Sequence, residues 1–464
     1  MRYISTRGGS DPLSFKEVTL AGLAPDGGLF VPDAWPTLTP DHIASLNGLP
    51  YAQAAARVMT PFVADTLDPD AFAAMIADAY AGFRHPDVAP LVEIGPDRWV
   101  LELFHGPTLA FKDIALQLLG RLFDAFIADS TGRLTVLGAT SGDTGSAAIE
   151  ACRGRERVDI FMLHPKGRVS DIQRRQMTTV VEPNVVNIAV DGTFDDCQGI
   201  VKALFADQPF RARVGLTAVN SINWARVMAQ TVYYFTAATA LGAPERPVSF
   251  AVPTGNFGDV YAGYVAAAMG LPIARLGVAT NVNDILVRTL ASGDHRLDGV
   301  QATLSPSMDI QISSNFERLL FDLYDRDGAE IARRMAALKA ERAFRLDAPQ
   351  LERARSLFRA ARVDDAATLD TIARVHSDTG YLLDPHTAVG VAAVEDCLAD
   401  QDGPVVTLAT AHPAKFPDAV ERATGVRPAL PEHLADLMDR PERAITLPAD
   451  AAAVRGLIDA RVAA

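Results

Sequence analysis

Cysteine is scarce in this chain: Cys152, Cys197 and Cys397 are the only three in 464 residues. They are far apart and odd in number, which argues against a disulfide framework and a zinc ribbon and fits a reducing compartment. No metal site is expected. Long basic runs are missing too. Arg174-Arg175 and Arg333-Arg334 are isolated pairs and read as solvated helix faces. With a formal net charge of −14, the chain repels a phosphate backbone, so no nucleic-acid partner is expected. No uninterrupted apolar run approaches the roughly 20 residues of a membrane helix. The start, Met1-Arg2-Tyr3-Ile4-Ser5-Thr6-Arg7, has no apolar stretch of the secretory kind. The expectation is a soluble, cytoplasmic protein without a membrane partner.

What is present suits a large core. Hydrophobic residues make up 49% and charged residues 22%, near the average for globular chains. The length predicts two or three domains. Residues 1–88 form a first unit with the turn Pro25-Asp26-Gly27-Gly28, a proline-rich stretch and helical patterns near 49–60 and 69–82. Prolines 86 and 90 mark a linker. Beyond it, short apolar runs alternate with helical patterns. Strands are expected at 99–104, 134–137, 158–163, 185–190, 248–252, 276–279 and 405–409, with helices at 109–128, 145–153 and 259–269. That alternation predicts an α/β fold with mostly parallel sheets and helices on both faces. Residues 321–365, rich in Ala, Arg, Glu and Leu, read as a helical insertion within the region 89–464.

Three segments carry chemistry, each at a strand-to-helix transition. In His105-Gly106-Pro107-Thr108-Leu109-Ala110-Phe111-Lys112-Asp113, Thr108 is read as the cap of a helix whose apolar face includes Phe111, Ala115, Leu118, Leu119 and Leu122. Lys112 then lies in the first turn beside that face. The positive helix end and partial burial both favour a neutral amine, hence a nucleophile or Schiff-base former. The plain alternative is a lysine that snorkels to water. The second segment is Gly138-Ala139-Thr140-Ser141-Gly142-Asp143-Thr144-Gly145. Its small residues and hydroxyls, opening a helix, suit an anion, or form an ordinary Ser/Thr-capped turn. The third, Pro253-Thr254-Gly255-Asn256-Phe257-Gly258-Asp259, brackets two residues with glycines so that several N–H groups converge. In a parallel sheet these transitions share one edge, where ligands bind. A buried lysine with two anion loops fits a cofactor bearing an aldehyde and a phosphate, pyridoxal 5'-phosphate.

The sequence resembles the threonine synthase family, in the branch found in many bacteria and in fungi. The resemblance runs along nearly the whole chain. It takes in Tyr3-Ile4-Ser5-Thr6-Arg7-Gly8, Asp26-Gly27-Gly28-Leu29-Phe30-Val31-Pro32 and the three segments above. It continues through Asn220-Ser221-Ile222-Asn223-Trp224-Ala225-Arg226, Ser307-Met308-Asp309-Ile310, Asp384-Pro385-His386-Thr387-Ala388 and Thr410-Ala411-His412-Pro413-Ala414-Lys415-Phe416.

The resemblance implies a tryptophan-synthase-β-like, fold-type-II pyridoxal-phosphate enzyme with two parallel-sheet lobes and a small N-terminal domain. It implies that Lys112 carries the cofactor. Gly255, Asn256, Phe257 and Gly258 then cradle the cofactor phosphate. Thr140, Ser141, Gly142 and Thr144 meet the substrate carboxylate. Thr410 faces the pyridine nitrogen, and Asp143 stands near the cofactor's 3' oxygen, its protonation open. The implied reaction converts O-phospho-L-homoserine and water into L-threonine and phosphate, with Lys112 moving protons. The substrate phosphate needs a cationic clamp. Arg226, with Ser221 and Asn223, is the first candidate and Lys415 the second; a surface ion pair is the alternative for each. His105, His386 and His412 are expected to orient the site through backbone hydrogen bonds. The cysteines are expected in the core. The rival readings are a phospho-amino-acid lyase that releases a keto acid, and a non-catalytic metabolite-binding protein. A monomer or weak homodimer is expected.

Overall fold

The computed structural model describes residues 1–128 and 132–462. Two sheets organise the chain. The larger has six strands in the order Phe358–Arg362, Ile273–Thr280, Val248–Pro253, Val405–Ala409, Arg98–Glu102 and Leu91–Gly95. All neighbours are parallel except the last pair, a hairpin. The smaller has five parallel strands, Ile445–Pro448, Val185–Asp191, Val158–Pro165, Leu134–Ala139 and Leu216–Thr217. Its central strand, Val158–Pro165, is buried at every position. That burial explains why its middle, Ile160 to Leu163, is apolar without alternation.

Helices cover both faces of each sheet. Asp143–Cys152 packs on the small sheet and on Lys112–Ile127, which packs on Trp224–Ala240; that helix in turn packs on Gly258–Ala268, which touches the large sheet. This layer of helices therefore lies between the sheets. Pro385–Cys397 covers the far face of the large sheet and Phe194–Ala206 that of the small one. Trp224–Ala240 is buried along nearly its whole length, so its apolar residues run all round the helix, not along a stripe.

Residues 3–80 fold onto this framework. The strands Tyr3–Ser5 and Phe30–Pro32 pair antiparallel, and the helices Tyr51–Val63 and Pro69–Tyr80 follow. Asp68 caps the second of these, with Pro69 at its first position, where a missing N–H costs nothing. The rings of Tyr3 and Phe62 lie 6.0 and 5.7 Å from that of Trp224. The N-terminal segment thus shares a hydrophobic core with the central helices.

Two expectations need correction. The stretch 321–365 is not helical throughout. Its helices Gly328–Glu341 and Ala348–Leu357 are separated by the strand Ala343–Arg345. It also supplies Phe358–Arg362, the edge strand of the large sheet. The charged helices therefore lead back into the main fold. Thr108 does not cap the following helix, which begins at Lys112 without a side-chain cap. Asp113 takes the Thr108 hydroxyl at 2.7 Å and the Thr108 N–H at 2.8 Å instead.

Candidate active site

The site forms where carboxyl ends of parallel strands from the two sheets face each other. Adjacent strands of the large sheet, Arg98–Glu102, Val405–Ala409 and Val248–Pro253, lead to Lys112, Thr410 and the loop at Gly255. Leu134–Ala139 of the small sheet leads to Thr140 and Asp143. The first two loops are tied together: the Phe111 N–H donates to the Thr410 carbonyl at 2.9 Å, and the His412 N–H to Leu109 at 3.0 Å.

Lys112 is the first residue of its helix and only 9% exposed. Its Nζ lies 3.3 Å from Oδ2 of Asp143 and 4.6 Å from the centre of the Phe111 ring. Burial pushes the amine below its ordinary range, Asp143 pulls it up, and Lys415 and Arg226 push it down again; the net direction is down. A depressed lysine is a competent nucleophile. The snorkelling alternative does not match this burial.

Asp143 opens the helix Asp143–Cys152. Its Oδ1 takes Nζ of Lys415 at 2.7 Å and Nε2 of Gln173 at 2.9 Å. Its Oδ2 accepts from Ser307 Oγ at 3.4 Å. Burial alone opposes ionisation, but Lys415, Lys112 and Gln173 more than offset it and hold the carboxyl well below the usual range. Three donors on one carboxyl, two of them lysine amines, favour its ionised form.

The loop around Asp143 is arranged to receive an anion. The Thr140 hydroxyl oxygen accepts the N–H groups of Gly142 and Gly145, both at 2.9 Å. Among the described residues no protein acceptor meets the N–H groups of Ser141, Asp143 and Thr144. Gly142 has φ 152°, a conformation that side chains disfavour, and a Cβ there would collide with Gln173.

The third loop holds a second set of open donors. Among the described residues the N–H groups of Gly255, Asn256, Phe257 and Gly258 find no acceptor in the protein. They converge at the N-terminus of Gly258–Ala268, where helix geometry favours negative charge. Phe257 adopts φ 62° and its ring packs on Phe316 and Phe358, which keeps this unusual turn in place. Ser313 Oγ donates to the Gly255 carbonyl at 2.6 Å, and the Asn315 side-chain amide to Asn256 and Ser221 carbonyls at 3.1 and 3.2 Å. Unpaired donors at a helix start, across from a depressed lysine, fit the phosphate and the aldehyde of pyridoxal phosphate. The Thr410 hydroxyl, also without a protein partner among the described residues, lies at the end of the strand between them.

The basic candidates separate. Arg226 is 3% exposed; its Nη1 donates to the Val219 carbonyl at 3.1 Å and its Nε has no partner among the described residues. Among the described residues no carboxylate pairs with it, so the surface ion pair is excluded. Burial pushes its guanidinium down to about 10, and it lies within electrostatic reach of Lys112. Asn223 is not free for a ligand. Fully buried, it caps Trp224–Ala240 through the Ala225 N–H and holds the Thr19 carbonyl at 2.9 Å. Ser221 lies beside the loop at Gly258, closer to the expected cofactor phosphate than a separate clamp would be. Lys415 is 1% exposed and committed to Asp143 and to the Thr108 carbonyl at 2.8 Å, so its expected place on the substrate phosphate is not the arrangement found.

The histidines act on backbone and neighbours. His386 Nδ1 pairs with Asp384 at 2.9 Å and its Nε2 accepts the Ser307 N–H at 3.1 Å. That fixes one neutral tautomer. His412 accepts the Ala414 N–H at 3.1 Å, and His105 pairs with Glu102 at 2.7 Å. Cys152 and Cys197 are buried and Cys397 partly so, all unpaired. Among the described residues no group of acidic, histidine and cysteine side chains is arranged to hold a metal, and no helix is long and apolar enough to cross a membrane. Gln173, Ser307, Ser313 and Asn315 belong to the site but were not singled out as site residues from sequence; only Ser307 lay in a recognised motif.

Three family models match the chain in order: threonine synthase N terminus at residues 2–80, pyridoxal-phosphate dependent enzyme at 89–346, and threonine synthase, C-terminal, at 387–458. A threonine synthase from Pseudomonas aeruginosa is 55% identical over 459 residues, covering 99% of this chain and 98% of the relative. A solved structure of PLP-bound threonine synthase from Brucella melitensis superimposes with a TM-score of 0.97 at 52% identity, covering 100% of both chains. The yeast threonine synthase structure gives 0.93 at 42% identity, covering 100% of this chain and 99% of that one. The chain belongs to the threonine synthase family of pyridoxal-phosphate-dependent enzymes.

Proposed function

We propose that this chain converts O-phospho-L-homoserine and water into L-threonine and phosphate, with Lys112 carrying pyridoxal phosphate. One observation bears most of the weight. A buried, depressed amine stands between two loops whose N–H groups are unpaired among the described residues, within reach of a guanidinium that no described carboxylate neutralises.

When bound, pyridoxal phosphate supplies a conjugated ring that spreads the charge developed at the substrate carbons. The N–H groups of Gly255, Asn256, Phe257 and Gly258 would hold its phosphate, and the neutral Thr410 hydroxyl would serve its ring nitrogen. Asp143 would neighbour its 3' oxygen. The N–H groups of Ser141 and Thr144, with the hydroxyls of Thr140, Ser141 and Thr144, orient the substrate carboxylate. Gly142 lets that backbone approach closely. The free Nζ of Lys112 would carry protons to and from the substrate carbons. Arg226 binds the γ-phosphate and stabilises it as it leaves. The substrate Cγ–O bond to phosphate breaks as a Cβ proton is lost, Cγ takes up a proton, and water then adds its oxygen at Cβ while its remaining proton balances the departing phosphate.

Turnover of phosphohomoserine, with threonine and 2-oxobutyrate both measured, tests this reading against the lyase. Threonine is expected as the dominant product. Dominant keto acid would overturn the synthase assignment, and no turnover with bound cofactor would favour a binding protein.

A further inference from the structure

We propose that Lys415 is a positioning residue for the cofactor-carrying amine: it occupies one oxygen of Asp143 and so limits how firmly that carboxylate holds the Lys112 ammonium. This rests on the assignment of Lys112 above.

The carboxylate is shared unequally. Oδ1 has Lys415 at 2.7 Å and Gln173 at 2.9 Å, while Lys112 reaches Oδ2 only at 3.3 Å. Lys415 is anchored independently by the Thr108 carbonyl at 2.8 Å. Two lysines thus compete for one anion, in a site that also contains Arg226. Buried like charges on one counterion favour loss of a proton from the more weakly held cation. That is Lys112, and its neutral amine is the form that condenses with an aldehyde. The sign is definite. Without Lys415, Asp143 and Lys112 become a one-to-one pair, and Lys112 keeps its proton to higher pH.

The other charged or titratable groups facing this cluster are few. Asp259 lies within reach of Lys112, but burial raises it to about 7, against hydrogen bonds from Tyr233 and Tyr234. Asp113 is within reach of Lys415 and is raised to about 6 by burial. Neither touches the Lys112 amine.

Competitive acylation of the full-length, cofactor-free chain across pH, with the Lys112 peptide quantified by mass spectrometry, reads the Lys112 midpoint directly. In Lys415→Met the midpoint is expected to rise by about one to three pH units, the usual effect of a strengthened ion pair. Lys415→Arg should stay near the parent. The Thr108 carbonyl keeps its bond from Gln176 at 3.1 Å in Lys415→Met, so that carbonyl is not orphaned. In an Asp143→Asn background the rise should be smaller, because only the direct repulsion between the two ammonium groups is then relieved. An unchanged or lower midpoint in Lys415→Met would overturn the proposal, as would an equal rise in the Asp143→Asn background. Should Lys415→Met not fold, Lys415→Gln decides, since it removes the charge and keeps a polar side chain: its midpoint should rise, and an unchanged one counts against the proposal. Borohydride trapping of the cofactor reads the Lys112 assignment separately, since the acylation midpoint is measured without cofactor.

Discussion

A methyl group placed on Gly255 would lie 2.7 Å from the carbonyl oxygen of Ser307. The segment that donates to Asp143 through its Ser307 hydroxyl thus also closes over the open N–H loop. One short stretch braces both halves of the site, and His386 fixes it through the Ser307 N–H.

Gly255→Ala should therefore push the loop and Ser307 apart. Overpacking of this kind costs about 1–3 kcal/mol. The loss is expected in cofactor affinity, roughly 5- to 150-fold in Kd. Titration of the cofactor-free protein with pyridoxal phosphate, followed by absorbance, checks it; an unchanged Kd would remove this loop from the phosphate site.

Arg226→Ala should lower kcat/KM for phosphohomoserine by about 1.5–3 kcal/mol, the worth of charged hydrogen bonds, while leaving cofactor affinity close to the parent's. Steady-state kinetics beside a cofactor titration separates the two. An unchanged kcat/KM would take Arg226 out of the substrate site.

Asn315→Ala should loosen the same loop from behind. It removes donors to the Asn256 and Ser221 carbonyls and the acceptor for the buried Arg318 guanidinium. Buried groups left unpaired cost about 1–3 kcal/mol each. A lower Tm and weaker cofactor binding are both expected, measured by calorimetry and titration. A parent-like Tm would contradict the bracing role.

Burial raises Asp259 to about 7, against hydrogen bonds from Tyr233 and Tyr234. Its folded form holds a proton more tightly than the unfolded chain, whose aspartates titrate near ~3.9. The stability from that proton is complete below about pH 4 and is lost as pH rises through about 7, an effect on the order of a few kcal/mol. Asp259→Asn should flatten the decline in stability over that window. Denaturant unfolding at stepped pH measures it, and an identical slope in parent and variant would contradict the buried-proton assignment.

Much of this fold is legible because its strands are buried apolar runs. Val405–Ala409 falls at the expected positions, and Lys112–Ile127 lies within the expected helix. Leu216–Thr217 is too short to register, and Ile445–Pro448 is largely exposed, so neither carries a periodic signal. The cap at Thr108 misleads because Asp113, five positions along, captures the hydroxyl. Lysine and the glycine loops announce themselves by local pattern. Gln173, Ser313 and Asn315 do not, because each reaches the site from 30 or more positions away. Lys415 is legible as a cation of the site, but only the fold brings Asp143 to it.

The attachment of the cofactor at Lys112 is tested most directly by borohydride reduction of the native, cofactor-loaded protein, followed by digestion and mass spectrometry. A pyridoxyl adduct on the peptide containing Lys112, absent in Lys112→Ala, is the expected result. An adduct on Lys415 or any other lysine, or none at all, would contradict it.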